Sequence, residues 1–182
     1  MGTYTKIDDC LSTMDGHLFV EACDTVKLAK EFGTPLFVIS ENQLRQNVRS
    51  FRNAFAPHWP GGDVEVLPAI KANWILATRK ILSEEGAGAD IYSYGELHAA
   101  LEAGVNPDLI SVNGGGKQED LIERCIRSGV RITVEDIDEP ELINLVAKRL
   151  GKKAKIRFRI KPNFPRLHKP TDFAQEKVSI DI

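Results

Sequence analysis

Five short apolar segments, separated by amphipathic helical patterns, constrain the fold of this chain more than any other feature of its sequence. They are centred near residues 67, 90, 110, 132 and 158. Successive centres lie about 20 to 26 residues apart, and helical patterns, most of them closed by a glycine, fill the intervals. Repeated strand–helix units of this kind join neighbouring strands in parallel through right-handed crossovers. The pattern therefore predicts an α/β chain built on a parallel sheet.

Two architectures are compatible with this alternation, a doubly wound open sheet and part of a (β/α)8 barrel. A complete barrel needs eight strands and roughly 250 residues, whereas this chain has 182 residues and five such segments. On the barrel interpretation, the chain supplies about five βα units, which form the N-terminal portion of an incomplete barrel. Residues 162–182 contain three prolines and predict a long loop that leads into another strand at 178–182.

The N-terminal residues follow a different pattern. They predict a short strand at 18–22 and a short helix at 25–32, and the apolar run at 36–39 predicts a further strand. We expect residues 1–34 to form an N-terminal segment outside the barrel and residues 35–182 to form the partial barrel.

Composition and charge exclude several classes of function. The chain has 24 Lys and Arg against 26 Asp and Glu, a net charge of −2, and no basic stripe, so we expect no nucleic-acid partner. Its apolar runs are too short to cross a bilayer, so we expect no membrane partner. The scattered cysteines Cys10, Cys23 and Cys125 argue against a disulfide framework and for a reducing, cytoplasmic compartment. No Cys/His pair has the spacing of a zinc site, so we expect no metal.

The stretch Val64–Asn73 predicts a buried strand that ends on Lys71. Lysine is almost never fully buried unless it is paired or functional. The carboxyl end of a buried strand is where α/β proteins place their chemistry. Lys71 is therefore a candidate catalytic residue, although a strand-end lysine that extends its amine to water gives the same pattern.

The run Gly114–Lys117 follows one predicted strand and precedes a helix, as a phosphate-binding loop would. It lacks the first glycine and the Ser or Thr of the P-loop, because Ser111 and Gln118 occupy those positions. The run therefore favours a tight turn between strand and helix over a cofactor contact.

Asp90 and Arg159 are charged residues within predicted strands. Charges that face a barrel interior are costly unless they are paired or bind a ligand. The two residues could form a structural ion pair or line a ligand site. Glu96 is explained by a capping box with Ser93. The opposite face of the strand at 155–161 is apolar, with Ile156, Phe158 and Ile160.

Five motifs together resemble one enzyme family. They are Ala69–Asn73, Glu85–Leu97, Ala103–Val105, Asn113–Lys117 and Arg157–Ile160. Their order and spacing are similar to those of the fold-type III pyridoxal-phosphate enzymes, the alanine-racemase-like barrels that include diaminopimelate, ornithine and arginine decarboxylases. The resemblance runs from about residue 34 to residue 160 and is strongest to the diaminopimelate decarboxylase branch.

The resemblance implies a cofactor, pyridoxal 5′-phosphate, and roles for three residues. Lys71 would be the Schiff-base lysine, Asp90 would lie beside it, and Arg159 would approach the cofactor ring. The implied reaction is decarboxylation of a diaminopimelate-like or basic amino acid, with the full-length form a homodimer.

Two departures leave alternatives open. The family's ring-stacking histidine, its glycine-rich phosphate loop and its acidic partner of the pyridine nitrogen have no counterpart before residue 182, so the chain as given is expected to be an incomplete enzyme. Residues 162–170 also differ from the loop of a plain diaminopimelate decarboxylase, which leaves the substrate open. An amino-acid racemase or other lyase on the same barrel, or a non-catalytic truncated chain that binds a partner, stays possible.

Overall fold

The computed structural model describes residues 4–160 and the backbone of residues 180–181. Its contacts divide the chain into two compact units, Met1–Val64 and Glu65–Ile182. The boundary predicted at residues 34 and 35, between the N-terminal segment and the barrel, stays a prediction.

The first unit begins with an antiparallel sheet whose four strands follow one another in chain order. Its strands are β1 Tyr4–Lys6, β2 Leu11–Met14, β3 His17–Val20 and β4 Cys23–Asp24. Asp15 and Gly16, at φ 53° and 81°, form the two-residue turn between β2 and β3, where both central residues need positive φ. Helix α1, Thr25–Phe32, begins where the Asp24 side chain accepts a hydrogen bond from the Val26 N–H.

A second helix, α2, spans Glu41–Phe55, and the Ser40 hydroxyl accepts a hydrogen bond from the Gln43 N–H at 2.9 Å. The strand predicted at 36–39 is wrong, because in the described part of the chain these residues join no ladder. Phe37 in that run is 95% exposed. An apolar, β-branched run forms a strand only where a partner strand offers hydrogen bonds, and local sequence does not reveal whether one does.

The second unit confirms the predicted alternation of parallel strands and helices. Strands β5 Ala89–Ile91, β6 Ile110–Val112, β7 Arg131–Val134 and β8 Lys155–Ile160 pair in parallel and in chain order. Helices α3 Leu76–Glu84, α4 Tyr94–Glu102, α5 Glu119–Ser128 and α6 Glu139–Leu150 alternate with them. Strand β9, Ile180–Asp181, pairs with β8 in the antiparallel direction, within the predicted strand at 178–182. The loop predicted before β9 lies outside the described residues.

The strand predicted in Val64–Asn73 is wrong. The segment forms only an isolated bridge between Ala69 and Asp90. Two further hydrogen bonds join it to the chain around β5. The Gly88 N–H donates to the Val66 carbonyl at 2.8 Å, and the Asp90 N–H donates to the Pro68 carbonyl at 3.3 Å. Pro68 has no N–H to donate, and residues Ile70–Ala72 turn into a short 3-10 helix. The segment therefore lies beside β5 without forming a regular ladder.

Alternation along the strands separates an apolar face from a polar face. The apolar face packs against the helices and holds most of the core, including Ala89, Ile91, Ile110, Val112, Ile132 and Val134. We call the other side the polar face, and it carries Asp90, Ser111, Thr133, Arg157 and Arg159. The core thus fixes the strands, and the strands present the polar side chains together.

Candidate functional site

A cavity of about 380 Å³ lies on the polar face of the sheet. Its lining combines two residues of the irregular segment beside β5, Glu65 and Leu67, with residues that lie in strands or directly follow them: Asp90, Tyr92, Ser111, Asn113, Arg157 and Arg159. Asp90 and Arg159, both singled out from the sequence, line this same cavity. Their common location follows from strand alternation, since each points to the polar face of its own strand.

Asp90 is the central residue of β5 and is half-buried. Its carboxylate accepts a hydrogen bond from the side-chain amide of Asn113. Asn113 directly follows β6, and its own N–H donates to the Ile91 carbonyl at 2.8 Å. The parallel register of β5 and β6 therefore holds the Asp90 carboxylate at the cavity wall.

Arg159 forms an ion pair with Glu135, a residue that the sequence analysis missed. The Arg159 Nη1 donates to Glu135 Oε2 at 2.9 Å, and the Glu135 side chain is 15% exposed. The sequence analysis left an ion pair between Asp90 and Arg159 open as one of two alternatives. Glu135 directly follows β7, so the criterion that drew attention to Lys71, a charge at the carboxyl end of a buried strand, also applies to it.

Lys71 lies in the short 3-10 helix Ile70–Ala72 and is exposed. Its side-chain nitrogen lies 4.6 Å from the centre of the ring of Tyr92, which lines the cavity. The neighbouring Ile70 is fully buried and anchors the turn in the core. Lys71 thus contacts a residue of the cavity lining, whereas Asp90 and Arg159 themselves line the cavity.

Ser93 caps α4 as predicted, whereas the Glu96 carboxylate binds the backbone one residue before the cap. The Glu96 backbone N–H donates to the Ser93 hydroxyl at 3.2 Å, and the Glu96 carboxylate accepts from the Tyr92 N–H at 2.6 Å. The first bond satisfies an N–H group in the first turn of α4, and the second satisfies the N–H group that precedes Ser93. Glu96 therefore supports the backbone of a cavity residue.

The glycine run forms a turn, and the lysine that ends it, Lys117, binds the carboxylate of Glu139. Gly114 and Gly116 adopt φ of 89° and 70°, which glycine reaches without strain. The side-chain nitrogen of Lys117 binds both carboxylate oxygens of Glu139, at 3.1 and 3.2 Å, and the Gly114 carbonyl. Both charged side chains are nearly buried, at 2% and 6% exposure.

Glu139 remains ionised in this setting. Burial by itself would raise its pKa, but hydrogen bonds from the Glu135 N–H and from Lys117 outweigh burial and lower the pKa below its usual value. The result is a buried ion pair that joins the loop after β6 to the start of α6.

Two further observations concern residues 4–160. Nowhere in that range do three His, Cys, Asp or Glu side chains gather in a way that could hold a metal ion. None of the helices described there is long and apolar enough to cross a membrane.

Comparison with known proteins places this geometry in context. The family described as pyridoxal-dependent decarboxylase, pyridoxal binding domain, matches residues 41–178. The diaminopimelate decarboxylase of Archaeoglobus fulgidus is 37% identical over 158 residues, covering 86% of this chain and 36% of that protein. The enzyme of the same name from Aquifex aeolicus is 38% identical over 176 residues, covering 94% of this chain and 40% of that protein.

Solved structures of decarboxylases also match this chain. The crystal structure of diaminopimelate decarboxylase from Methanocaldococcus jannaschii matches with a TM-score of 0.85 and 38% identity, over 88% of this chain and 38% of that chain. A lysine/ornithine decarboxylase from Vibrio vulnificus matches at a TM-score of 0.63 and 21% identity, which shows the fold alone. The chain spans about two fifths of the length of the curated relatives it matches. The predicted fold, an N-terminal portion of a (β/α)8 barrel that the described residues do not close, is confirmed.

Proposed function

Because the chain belongs to the pyridoxal-dependent decarboxylase family, over its pyridoxal-binding domain, we propose that the protein uses pyridoxal 5′-phosphate to decarboxylate an amino acid. Diaminopimelate is the proposed substrate, since relatives that are 37% and 38% identical to this chain over the aligned residues carry that name. The observation that carries the proposal is the cavity on the polar face, which joins Asp90 and Arg159 in one wall beside Lys71.

The residues present fit this cofactor, which offers an aldehyde, an aromatic ring and a phosphate. An aldehyde reacts with a primary amine, and that amine must be accessible and not held in a buried ion pair. Lys71 is exposed at the cavity edge, whereas Lys117 is buried against Glu139. Arg157 and Arg159 place two guanidinium groups in a lining that also holds the carboxylates of Glu65 and Asp90, and a guanidinium group can donate paired hydrogen bonds to a phosphate. We therefore propose Lys71, Asp90 and Arg159 as the residues that hold the cofactor.

When bound, pyridoxal phosphate supplies an electron sink for the electron pair released as the substrate carboxylate leaves. Each protein side chain then has a limited task. Lys71 holds and moves a proton at its side-chain nitrogen, and Tyr92 keeps that nitrogen beside the cavity. The Asp90 carboxylate, fixed by Asn113, presents negative charge to the cavity, and the Arg159 guanidinium presents positive charge to it.

Covalent trapping tests the assignment of Lys71. The protein is loaded with pyridoxal phosphate, reduced with borohydride and mapped by peptide mass spectrometry. We expect a pyridoxyl label on Lys71 and none in the variant Lys71→Arg. A label on Lys117, with Lys71 unmodified, would overturn the assignment.

Product analysis tests the reaction and the substrate. We expect carbon dioxide release with diaminopimelate to exceed that with ornithine, arginine or lysine. Inversion of the α-carbon without carbon dioxide release would favour a racemase. The proposed homodimer and cytoplasmic location are tested separately, by sedimentation analysis and by cell fractionation.

A further inference from the structure

We propose that Glu135 is a positioning residue for Arg159, and that its carboxylate fixes the guanidinium at the cavity wall in readiness for the cofactor. The inference rests on the proposed function, since it treats the cavity as the cofactor site. It assigns to Glu135 a role that acts through Arg159 and requires no contact of its own with the ligand.

The two carboxylate oxygens of Glu135 bind two different elements. Oε2 accepts from Arg159 Nη1 in β8 at 2.9 Å. Oε1 accepts from the N–H of Gly114, in the turn after β6. Glu135 itself follows β7, so one side chain joins the ends of three neighbouring strands. Charge-assisted bonds of this kind are shorter and stronger than neutral hydrogen bonds.

The backbone beneath Glu135 is held by the buried ion pair. The Glu135 N–H donates to Glu139 Oε2 at 2.8 Å. Glu139 pairs with Lys117, whose nitrogen also binds the Gly114 carbonyl. The contacts therefore close a ring through Gly114, Glu135, Glu139 and Lys117. This ring holds the Glu135 carboxylate in place from its own backbone and from the neighbouring turn.

Arg159 gains most from such an anchor. Its side chain is 32% exposed, and a long guanidinium side chain at that exposure would otherwise sample many rotamers. Binding groups that are already held in their productive geometry cost less entropy when the ligand arrives. Removing the anchor should therefore weaken cofactor binding and loosen the orientation of the bound cofactor, even though Arg159 itself is unchanged.

The decisive substitution is Glu135→Gln. Its amide has the size of the carboxylate but only one acceptor oxygen, so it must present an NH2 group to either Gly114 or Arg159. We expect pyridoxal phosphate affinity, measured by absorbance titration, to fall about five- to tenfold, as the net loss of one ordinary hydrogen bond predicts. We also expect the visible circular dichroism per bound cofactor to fall. Glu135→Asp keeps the charge and both acceptors, and should recover part of both signals.

The matched control is Glu123→Gln in α5. Glu123 also pairs with arginines, with N–O distances of 2.7 Å to Arg127 and 2.6 Å to Arg149, but it lies away from the cavity lining. We expect its cofactor affinity and circular dichroism to match the unaltered protein. Equal values for Glu135→Gln would overturn the inference.

A double-mutant cycle separates positioning from general structural support. If Glu135 acts through Arg159, then Glu135→Gln adds nothing to the affinity loss caused by Arg159→Met. Additive losses would overturn the inference. Should Glu135→Gln fail to fold, the same cycle with Glu135→Asp decides. Failure of the unaltered protein to bind pyridoxal phosphate would instead refute the proposed function.

Discussion

The side-chain nitrogen of Lys71 lies 4.6 Å from the centre of the Tyr92 ring. Tyr92 directly follows β5, and its ring also lies against the turn at Gly114. A Cβ added to Gly114 would come within 2.9 Å of the Tyr92 ring, and Gly114 has φ of 89°. Glycine at that position therefore lets the aromatic ring pack beside the turn and present a face to the lysine.

Substitution of Tyr92 tests whether this contact positions the amine. A cation–π contact at an exposed site contributes about 0.5–1 kcal/mol. Tyr92→Leu removes the aromatic face, so we expect the rate of borohydride-trapped labelling at Lys71 to fall by about two- to fivefold. Tyr92→Phe keeps the face and should label at the rate of the unaltered protein. Equal rates in all three proteins would show that the contact does not position Lys71.

Asp90 provides a second test of the cavity. If its carboxylate serves the cofactor site, Asp90→Ala should weaken pyridoxal phosphate binding about tenfold, in line with the loss of one charged hydrogen-bond acceptor. The matched control is Asp108→Ala. Asp108 forms an exposed ion pair with Lys155 in the same unit, and such pairs contribute only about 0–1 kcal/mol. A titration of Asp90→Ala that matches the control would remove Asp90 from the proposed site.

Local sequence predicted the features that depend on local geometry. Alternation in β8 separated Arg157 and Arg159 from the apolar face, and in the structure both arginines line one cavity. The Ser93–Glu96 cap depends on residues three apart, so its sequence pattern was sufficient. The strand expected at Val64–Ile70 failed because ladder formation depends on a partner strand, and apolar composition does not reveal the irregular path that Pro68 imposes.

Ionic partners across strands were beyond local sequence. Arg159 and Glu135 are 24 residues apart, and Lys117 and Glu139 are 22 residues apart. Each pair meets because parallel strands bring their carboxyl ends to one edge of the sheet. Sequence alone shows that charges gather at that edge, but the register of the strands selects which charge meets which.

Cys125 should be inert in the folded protein. It is fully buried in α5, and burial raises the pKa of its thiol to about 12. The thiolate is the reactive form, so alkylation at pH 8 should be negligible until the protein unfolds. Cys23 is exposed and serves as the internal control. We expect iodoacetamide to label Cys23 under native conditions and Cys125 only in denaturant; native labelling of both at similar rates would contradict the buried position.

The buried Lys117–Glu139 pair should make stability depend on pH in a defined direction. Lys117→Met leaves the Glu139 carboxylate buried without its cation, and breaking a buried pair in this way costs about 3–5 kcal/mol. The pKa of Glu139 is lowered in the folded protein, whereas that of an unfolded glutamate is about 4.3. The stabilisation is therefore fully present above about pH 4.3 and is lost as pH falls through the lower folded pKa.

Urea denaturation at pH 7 and at successively lower pH measures this difference. The free energy of unfolding of Lys117→Met should lie well below that of the unaltered protein at pH 7, and the gap should be narrower below about pH 4.3 than at pH 7. Glu141→Gln, an exposed change in the same helix, should stay within about 0.5 kcal/mol at every pH. A gap for Lys117→Met that stays constant, or widens on acidification, would show that the ionised pair is not its source.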